Sequence, residues 1–361
     1  MSPEPPENGV PAAKAGEGTT ATAYIKPSTT ASTVAEGDSG ASSPRPWERV
    51  RWSRVAIGAV ILIAAIALAY LRAGNGDIVR QAVLTGILIG GVYGLVAMGL
   101  TLIFGVLDIV NFAHGAFLAV ALYITVTMVS RLGVNPLVAL FVAVPVMFLL
   151  GAGVQRFVLA GAMGKPLENQ LLITLGLALL IDNVLLLSFG PNPQSVKLPG
   201  DTGVQIFGAV ATVSRLLAFG VAIVLAALLY VLLQRTRLGT AIRAVAANDA
   251  GAQLVGIDTR RIYMATFAIG TACAGAAGVL VAPLVTIEPT TGELFNIIAF
   301  VVVVLGGMGN VIGALVGGLI IGLTEQLSAL YLPGQSPLLS VFVVFVLVLF
   351  LRPQGLFGRS S

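Results

Sequence analysis

Long apolar stretches separated by short polar connections run through most of this chain. About 20 apolar residues span the hydrocarbon core of a bilayer as a helix. We therefore predict an all-α polytopic membrane protein with about ten transmembrane helices. The predicted spans are residues 55–71, 81–105, 112–130, 137–155, 170–190, 212–233, 263–283, 294–305, 311–330 and 338–351.

The first 54 residues differ from the rest. Residues 1–46 hold seven of the 18 prolines and neither Leu nor Phe, so they cannot bury enough apolar surface to fold. We predict a disordered cytoplasmic tail over 1–54 with a basic, Trp-containing juxtamembrane end. A transmembrane domain over 55–352 and a short cytoplasmic tail over 353–361 follow it.

The apolar run 55–71 has a second interpretation, as a secretory signal peptide. Ala67-Leu68-Ala69 has the small residues of a cleavage site. The segment before the run is much longer than a signal n-region, and the run exceeds the usual 7 to 15 residues. These lengths favour a retained first span.

Composition and charge exclude an ordinary soluble enzyme and give an orientation. Hydrophobic residues make up 57% of the chain, charged residues only 10%, and the mean hydropathy is +0.97. Alternating the spans from a cytoplasmic N-terminus places 15 of the 20 Lys and Arg residues inside. By the positive-inside rule, this predicts a multi-pass protein of the cell membrane with its N-terminus in the cytoplasm.

Catalytic and metal-binding patterns are missing from the sequence. One Cys and one His make a zinc or haem site very unlikely. The string nearest to a Walker A motif, 161–166, has the wrong glycine spacing and a proline where the hydroxyl residue belongs. We expect no enzyme activity, no metal, no cofactor and no nucleic-acid partner for this chain.

The long basic connection 234–262 predicts a projecting pair of short helices. Ala241, Ile242, Val245 and Ala246 have helical spacing. Asn248 can cap a second helix, and Gly256 can end it in the left-handed conformation. Such a ledge is either a docking surface for another protein or a solvated connector whose arginines only set the topology. Its candidate coupling residues are Arg237, Gly239, Arg243, Ala246, Ala247, Asp249, Gly256 and Ile257.

Glycines recur at four-residue spacing in two of the predicted spans. This spacing lets helix backbones approach closely in lipid. We expect one face of the second span to carry such glycines, and Gly309, Gly313 and Gly317 to share a face near the C-terminus. The candidate packing residues are Gly86, Gly90, Gly94, Gly306, Gly307, Gly309, Gly313 and Gly317.

Polar side chains at membrane depth are costly and are therefore functional candidates. Asp182 and Asn183 lie within a span, Glu325 lies within another, and Asn111 and His114 mark the inner end between the second and third spans. These five are the candidates for the translocation path. The alternative is hydrogen bonding between helices, and for His114 a capping role is favoured over a proton relay.

Three separated strings resemble LivH-type permeases of branched-chain amino-acid ABC transporters. They are residues 85–115, the connection with Gly239, Arg243, Asn248-Asp249 and 254–257, and residues 304–318 with Glu325 beyond them. The resemblance implies an ABC importer permease bundle that forms the translocation path. It further implies a second related, LivM-type permease subunit, two ATP-binding subunits that bind ATP and Mg, and an extracytoplasmic solute-binding protein.

Other functions stay open at this point. Within the same family, the solute could be urea, a short amide or another small molecule. Outside it, the chain could be an ion-coupled secondary carrier or channel, or a structural subunit without a path. The basic connection and the three strings favour the amino-acid permease.

Overall fold

The computed structural model describes residues 76–330, 336–352 and 354–357. A two-residue turn joins the two short strands, and the other connections are loops and short helical turns. The helices are α1 (Gly76–Leu107), α2 (His114–Leu132), α3 (Leu140–Val154), α4 (Leu167–Phe189), α5 (Val213–Arg235), α6 (Arg237–Ala247), α7 (Asp249–Leu254), α8 (Thr259–Val281), α9 (Thr291–Gly306), α10 (Val311–Ser328) and α11 (Ser336–Leu351), and the strands are β1 (Gly203–Ile206) and β2 (Ala209–Thr212).

The predicted polytopic helical fold is confirmed. Within the described ranges, seven helical segments are long and apolar enough to cross a membrane, and α9 and the apolar part of α11 are shorter. They coincide with the predicted spans after the first. The tail 1–54 and the first predicted span, 55–71, lie outside the described residues. Of the predicted C-terminal tail, residues 354–357 are described, and Leu356 donates its N–H to the carbonyl of Leu305 at the end of α9 (2.8 Å).

The bundle has two ends, which we name by what they carry. The hairpin end carries β1 and β2, which pair antiparallel and join through a turn at Phe207 and Gly208. Gln81 at the start of α1 bonds both the N–H and the C=O of Val210 in β2 (2.8 and 2.7 Å). α5 runs from this hairpin to the ledge end, which carries α6 and α7.

α1 and α10 pack closely, with their backbones in contact at several glycines. A Cβ at Gly90 would lie 2.8 Å from the carbonyl oxygen of Gly318, and one at Gly86 would lie 2.8 Å from the Cα of Leu323. Only glycine permits backbones this close, so the predicted packing role of Gly86, Gly90 and Gly94 is consistent with the structure. α1 also packs on α8 and α9, and it is the most buried of the candidate spans.

The predicted glycine face near the C-terminus is wrong in its details. Asn310 caps α10 by accepting the N–H of Gly313 (2.9 Å), so the helix begins at Val311 and Gly309 lies before it with φ +80°. Gly313 and Gly317 pack on α9 against the backbones of Gly306 and Val302, and Gly306 in turn packs against the backbone of Gly313. The face toward α1 is formed by Gly318 and Gly322, while Gly307 (φ +95°) ends α9.

The start of α2 is deeper in the bundle than the sequence predicted. Asp108 adopts φ +57° after α1, and the chain then turns back so that His114 lies beside Val96. Val96 is about 16 Å from Leu107 along α1 at 1.5 Å per residue. Asn111 and His114 therefore do not lie at the end of the bundle. The apolar pattern showed the break between the two spans but not that the chain turns back into the bundle there.

Candidate functional site

A cavity of about 530 Å³ opens between α1, α9, α10 and α11, beside the segment that precedes α9. Carboxylates of Glu288, Glu293 and Glu325 line it together with the phenol of Tyr93. The segment before α9 is tied to the hairpin end, because Ile287 pairs with Gln194 of the loop before β1. The apolar part of the wall comes from Val285, Leu294, Phe295, Ile298 and Leu338.

Glu325 and Tyr93 form the deep part of this cavity. Tyr93 lies near the midpoint of α1, and its side chain is only 6% exposed. The carboxylate of Glu325 on α10 lies near its hydroxyl. One carboxylate oxygen of Glu325, Oε2, is buried and has no hydrogen-bond partner among the described residues. An unsatisfied buried oxygen at this depth is costly, which marks Glu325 as a functional candidate.

The N-terminus of α9 lies at the same cavity, well inside the bundle. Phe295 in its first turns packs edge-on against Tyr93, with the ring centroids 6.0 Å apart. Thr290 precedes the helix and provides no side-chain cap. The N–H of Thr291 donates to the carbonyl of Glu288, and that of Glu293 donates to the carbonyl of Thr290 (both 3.0 Å), so two of the first N–H groups of this helix already have partners.

Asn296 of α9 fixes the start of α2. Its Oδ1 accepts the N–H of Gly115 (3.1 Å), and its Nδ2 donates to the carbonyl of Phe112 (3.0 Å). Gly115 and Gly292 are in backbone contact, so a Cβ on either would collide with the other chain segment. Asn296 was not among the predicted site residues, although it is a polar residue within a short apolar span.

We expect Asn296→Ala to destabilise the protein by about 1–3 kcal/mol, because it leaves a buried N–H and a buried C=O without partners. The unfolding midpoint of the purified protein in an SDS titration measures this. Asn183→Ala is the matched control, since Asn183 is exposed and bonds only Leu179 of its own helix. Equal midpoints for the two variants would contradict the anchoring role of Asn296.

Asn111 and His114 are engaged in local structure. Oδ1 of Asn111 accepts the N–H of Ala113 (3.1 Å), and Nε2 of His114 lies 3.0 Å from the carbonyl oxygen of Val96. Both side chains are completely buried, and within the described part of the chain neither Nδ2 of Asn111 nor Nδ1 of His114 has a partner. Neither residue lines the cavity.

Asp182 and Asn183 lie on α4, and neither lines the cavity. Asp182 is half-buried and near enough to Glu293 for their charges to repel. Its Oδ1 has no partner among the described residues. Of the five path candidates, the structure therefore brings only Glu325 to the cavity, with Asp182 close to one of its acidic residues.

The predicted pair of short helices at the ledge end is confirmed. Thr236 caps α6 by accepting the N–H of Gly239 (3.0 Å), and Asn248 caps α7 by accepting that of Gly251 (2.8 Å). Gly256 has φ +83°, and Ile257 folds back to donate to Ala252 (3.0 Å). These contacts hold α6 and α7 in a defined ledge.

One side of the ledge is buried and the other is open. Ile242 and Val245 are buried, while Leu254 is 89% exposed and Val255 is 76% exposed. Two neighbouring apolar side chains exposed to this extent at the tip of a polar connection form an apolar knob. The candidate residues Arg237, Ala246, Ala247 and Asp249 are also exposed.

The ledge contacts two of the spans. The carboxylate of Asp249 lies near the hydroxyl of Tyr263 on α8. Gly239 packs on the backbone carbonyls of Leu232 and Leu233 at the end of α5, where a Cβ would collide. Arg243 extends to Thr240 (3.4 Å), and its Nη1 is buried with no partner within the described ranges. These contacts join the ledge to α5 and α8.

The chain is similar to permease proteins of branched-chain amino acid transport systems. The family described as "Branched-chain amino acid transport system / permease component" matches residues 82–351. The high-affinity branched-chain amino acid transport system permease proteins LivH of Escherichia coli and BraD of Pseudomonas aeruginosa are each 30% identical over 78% of this chain and 96% of their own length. A probable LivH of Methanocaldococcus jannaschii is 30% identical over 78% of this chain and 94% of its own. No solved structure matches.

Proposed function

Since the chain belongs to the family of branched-chain amino acid transport permeases, we propose that it forms the membrane path of an ABC importer for branched-chain and similar apolar amino acids. The observation that carries this proposal is the pairing of two features in one bundle. A cavity with polar groups opens beside the hairpin end, and an apolar knob projects at the ledge end. A channel acting alone has no use for the second feature.

The ledge is the contact for the ATP-binding subunits. Leu254 and Val255 provide apolar area for a pocket on such a subunit, and Arg237 adds a charge at its edge. The neighbouring side chains of Asp249 and Tyr263 join the ledge to α8, so motion of the ledge reaches this span. This chain has no ATPase motif of its own, so ATP and Mg are bound by two partner subunits.

The orientation follows from the charges. The connection with α6 and α7 carries five arginines, Arg235, Arg237, Arg243, Arg260 and Arg261, which the positive-inside rule places in the cytoplasm. The hairpin end then faces outward, where an extracytoplasmic solute-binding protein delivers the amino acid to the cavity. A second, related permease subunit completes the path.

We expect the chain to copurify from its native membrane with ATP-binding subunits and a second permease. Vesicles that contain this complex should accumulate leucine only when ATP and the solute-binding protein are both supplied, because neither this chain nor its partner permease provides the energy. Radiolabelled leucine uptake with and without ATP measures this.

The same vesicles test the ABC-permease assignment and the substrate class separately. Leucine uptake without ATP by the chain alone would contradict the assignment as an ABC permease. ATP-dependent uptake of urea or a short amide, without uptake of leucine, would keep the permease and overturn its substrate class.

A further inference from the structure

We propose that Phe207, at the tip of the hairpin formed by β1 and β2, is the anchor on which the extracytoplasmic solute-binding protein docks. This inference rests on the proposed function, which places the hairpin end outside the membrane, and it adds the contact itself. The aromatic ring enters an apolar pocket on that protein, and the bases that flank the hairpin pair with carboxylates around the pocket.

Phe207 has a backbone conformation that its residue type disfavours. β1 and β2 join through two residues, Phe207 with φ +50° and Gly208 with φ +81°. A two-residue turn with positive φ at both positions usually has Asn, Asp or Gly at the first of them. A bulky side chain in this region is strained. Asp108, the other non-glycine residue of the described chain with positive φ, is of a type that tolerates it.

The ring of Phe207 does not offset this strain by packing inside the protein. It is 93% exposed, more than any other large apolar side chain in the described ranges. The buried side of the hairpin is provided by Ala209 and Ala211 instead. Strain without a packing benefit points to a function of the residue. A projecting aromatic side chain is the type of residue that fills a pocket on a protein partner and dominates the binding energy.

The hairpin holds Phe207 in a fixed position over the interior of the bundle. Gln81 of α1 bonds both backbone groups of Val210, and β2 packs on α1 and α5. The turn also rests against Arg80, because a Cβ at Gly208 would lie 3.5 Å from its guanidinium group. α1 is the most buried of the candidate spans, so the hairpin lies over the centre of the bundle and not over its lipid-facing rim. A soluble protein reaches this tip from outside, and an anchor that is already ordered loses little freedom on binding.

The bases that flank the hairpin are available to a partner. Lys197 precedes β1 and is exposed, and Arg215 lies in the first turn of α5, after β2. Neither forms an ion pair with another described residue. Asp201, the carboxylate between them in the chain, accepts the N–H of Ser214 (2.9 Å). A partner surface with carboxylates around an apolar pocket is therefore complementary to the hairpin and its flanks.

A groove of about 400 Å³ beside the turn extends the contact surface. Gly208 and Val210 of the hairpin line it together with Gln326 near the end of α10. The loop before β1 pairs through Gln194 with Ile287, in the segment that borders the cavity before α9. A protein docked on the hairpin is therefore placed next to the cavity into which the proposed function has it deliver the amino acid.

Phe207→Asn separates docking from folding. Asparagine adopts positive φ readily, so we expect the unfolding midpoint to stay the same or rise. The affinity of leucine-loaded solute-binding protein for the transporter complex in lipid nanodiscs should fall by about tenfold or more, because the anchor is lost. Phe207→Trp keeps a large aromatic ring and should dock within about threefold of the wild type. Surface plasmon resonance measures these affinities.

Phe157→Asn is the matched control for Phe207→Asn. Phe157 is 81% exposed and lies between α3 and α4. Because α4 runs from there to the loop that leads to β1, Phe157 lies at the end of the bundle away from the hairpin. We expect wild-type docking from this variant. Wild-type affinity in Phe207→Asn, or an equal loss in both variants, would overturn the anchor.

The same measurement in detergent micelles tests whether the ring contacts lipid instead. Docking on a protein predicts that Phe207→Asn loses affinity equally in nanodiscs and in detergent. A ring that only anchors the hairpin in the headgroup layer predicts a loss in nanodiscs alone. That result would contradict the proposal.

Lys197→Glu tests the charge complementarity around the anchor. We expect the solute-binding protein to associate about threefold more slowly with this variant at low ionic strength, and the difference to disappear at about 0.5 M salt. An association rate equal to that of the wild type at low ionic strength would contradict the pairing of the hairpin flanks with carboxylates.

Uptake assays separate this inference from the proposed function. We expect Phe207→Asn to need about tenfold more solute-binding protein than the wild type for the same ATP-driven leucine uptake, because only docking is weakened. If both complexes take up leucine with the same dependence on that protein, the importer stands and the anchor is wrong. If the wild-type complex takes up no leucine under any condition, the proposed function itself is wrong.

Discussion

Gly256→Pro is expected to reduce ATP-driven leucine uptake to less than about a tenth of the wild-type rate while the protein still inserts and folds. Gly256 has φ +83°, whereas proline fixes φ near −65°. The substitution also removes the N–H that Gly256 donates to Gln253 (3.0 Å). The end of α7 must then change shape, and the knob at Leu254 and Val255 moves with it.

Uptake and ATP hydrolysis measured on the same reconstituted complex distinguish uncoupling from misfolding. Gly133→Pro is the matched control. Gly133 likewise has a positive φ (+63°) and donates its N–H to Val129 at a helix end, but it lies after α2, away from the ledge. In Gly133→Pro we expect near-normal coupling of ATP hydrolysis to leucine uptake. Leu254→Asp is a second variant that leaves the backbone unchanged and should also lose uptake. Wild-type uptake from both ledge variants would contradict the docking role.

The ledge could be predicted almost residue by residue because its structure is local. Asn248 caps a helix that begins one residue later, and Gly256 ends that helix through bonds within its last turn. Capping and left-handed glycine depend on neighbours within about four residues, which the sequence displays. What the sequence did not indicate is the exposure of Leu254 and Val255, which depends on what the rest of the chain leaves uncovered.

The glycine faces of α10 could be predicted only in part, because residue spacing does not fix which neighbouring helix they meet. Gly309, Gly313 and Gly317 have four-residue spacing, and so do Gly318 and Gly322. Spacing alone therefore did not show that Gly318 and Gly322 are the glycines that meet α1. The cap at Asn310 decides where α10 begins and leaves Gly309 outside the helix. The direction of the remaining glycines then depends on how α10 packs between α1 and α9, which is tertiary information.

The cavity was the least predictable feature. The sequence pattern singled out Glu325, because a charged residue within a span is costly. It did not single out Tyr93, Glu288 and Glu293, because each is an ordinary residue of a span or a connection. They come together only because α9 begins near the midpoint of α1 rather than at the end of the bundle. That position depends on the long-range contacts of Asn296 and Gly292 with the start of α2.

Gly318→Leu is expected to have the largest effect on folding, a loss of about 3 kcal/mol or more. A Cβ at Gly318 would lie 2.5 Å from the Cα of Gly94 and 2.7 Å from the carbonyl oxygen of Gly90. These are backbone atoms, so no side chain can move aside, and α1 and α10 must separate. Their contact is the most extensive helix pairing in the described chain. The measurement is the amount of monodisperse protein extracted from membranes, together with its unfolding midpoint.

Gly220→Leu is the matched control, because Gly220 lies within α5 and faces open space, where an added Cβ would meet no neighbouring atom of the described chain within 4 Å. There, leucine should preserve or raise the midpoint, since glycine disfavours a helix interior by about 0.5–1 kcal/mol. The two variants add the same side chain to two apolar helices, so lipid insertion changes equally. A difference between them therefore measures the close approach of α1 and α10, and equal midpoints would show that this approach does not hold the bundle together.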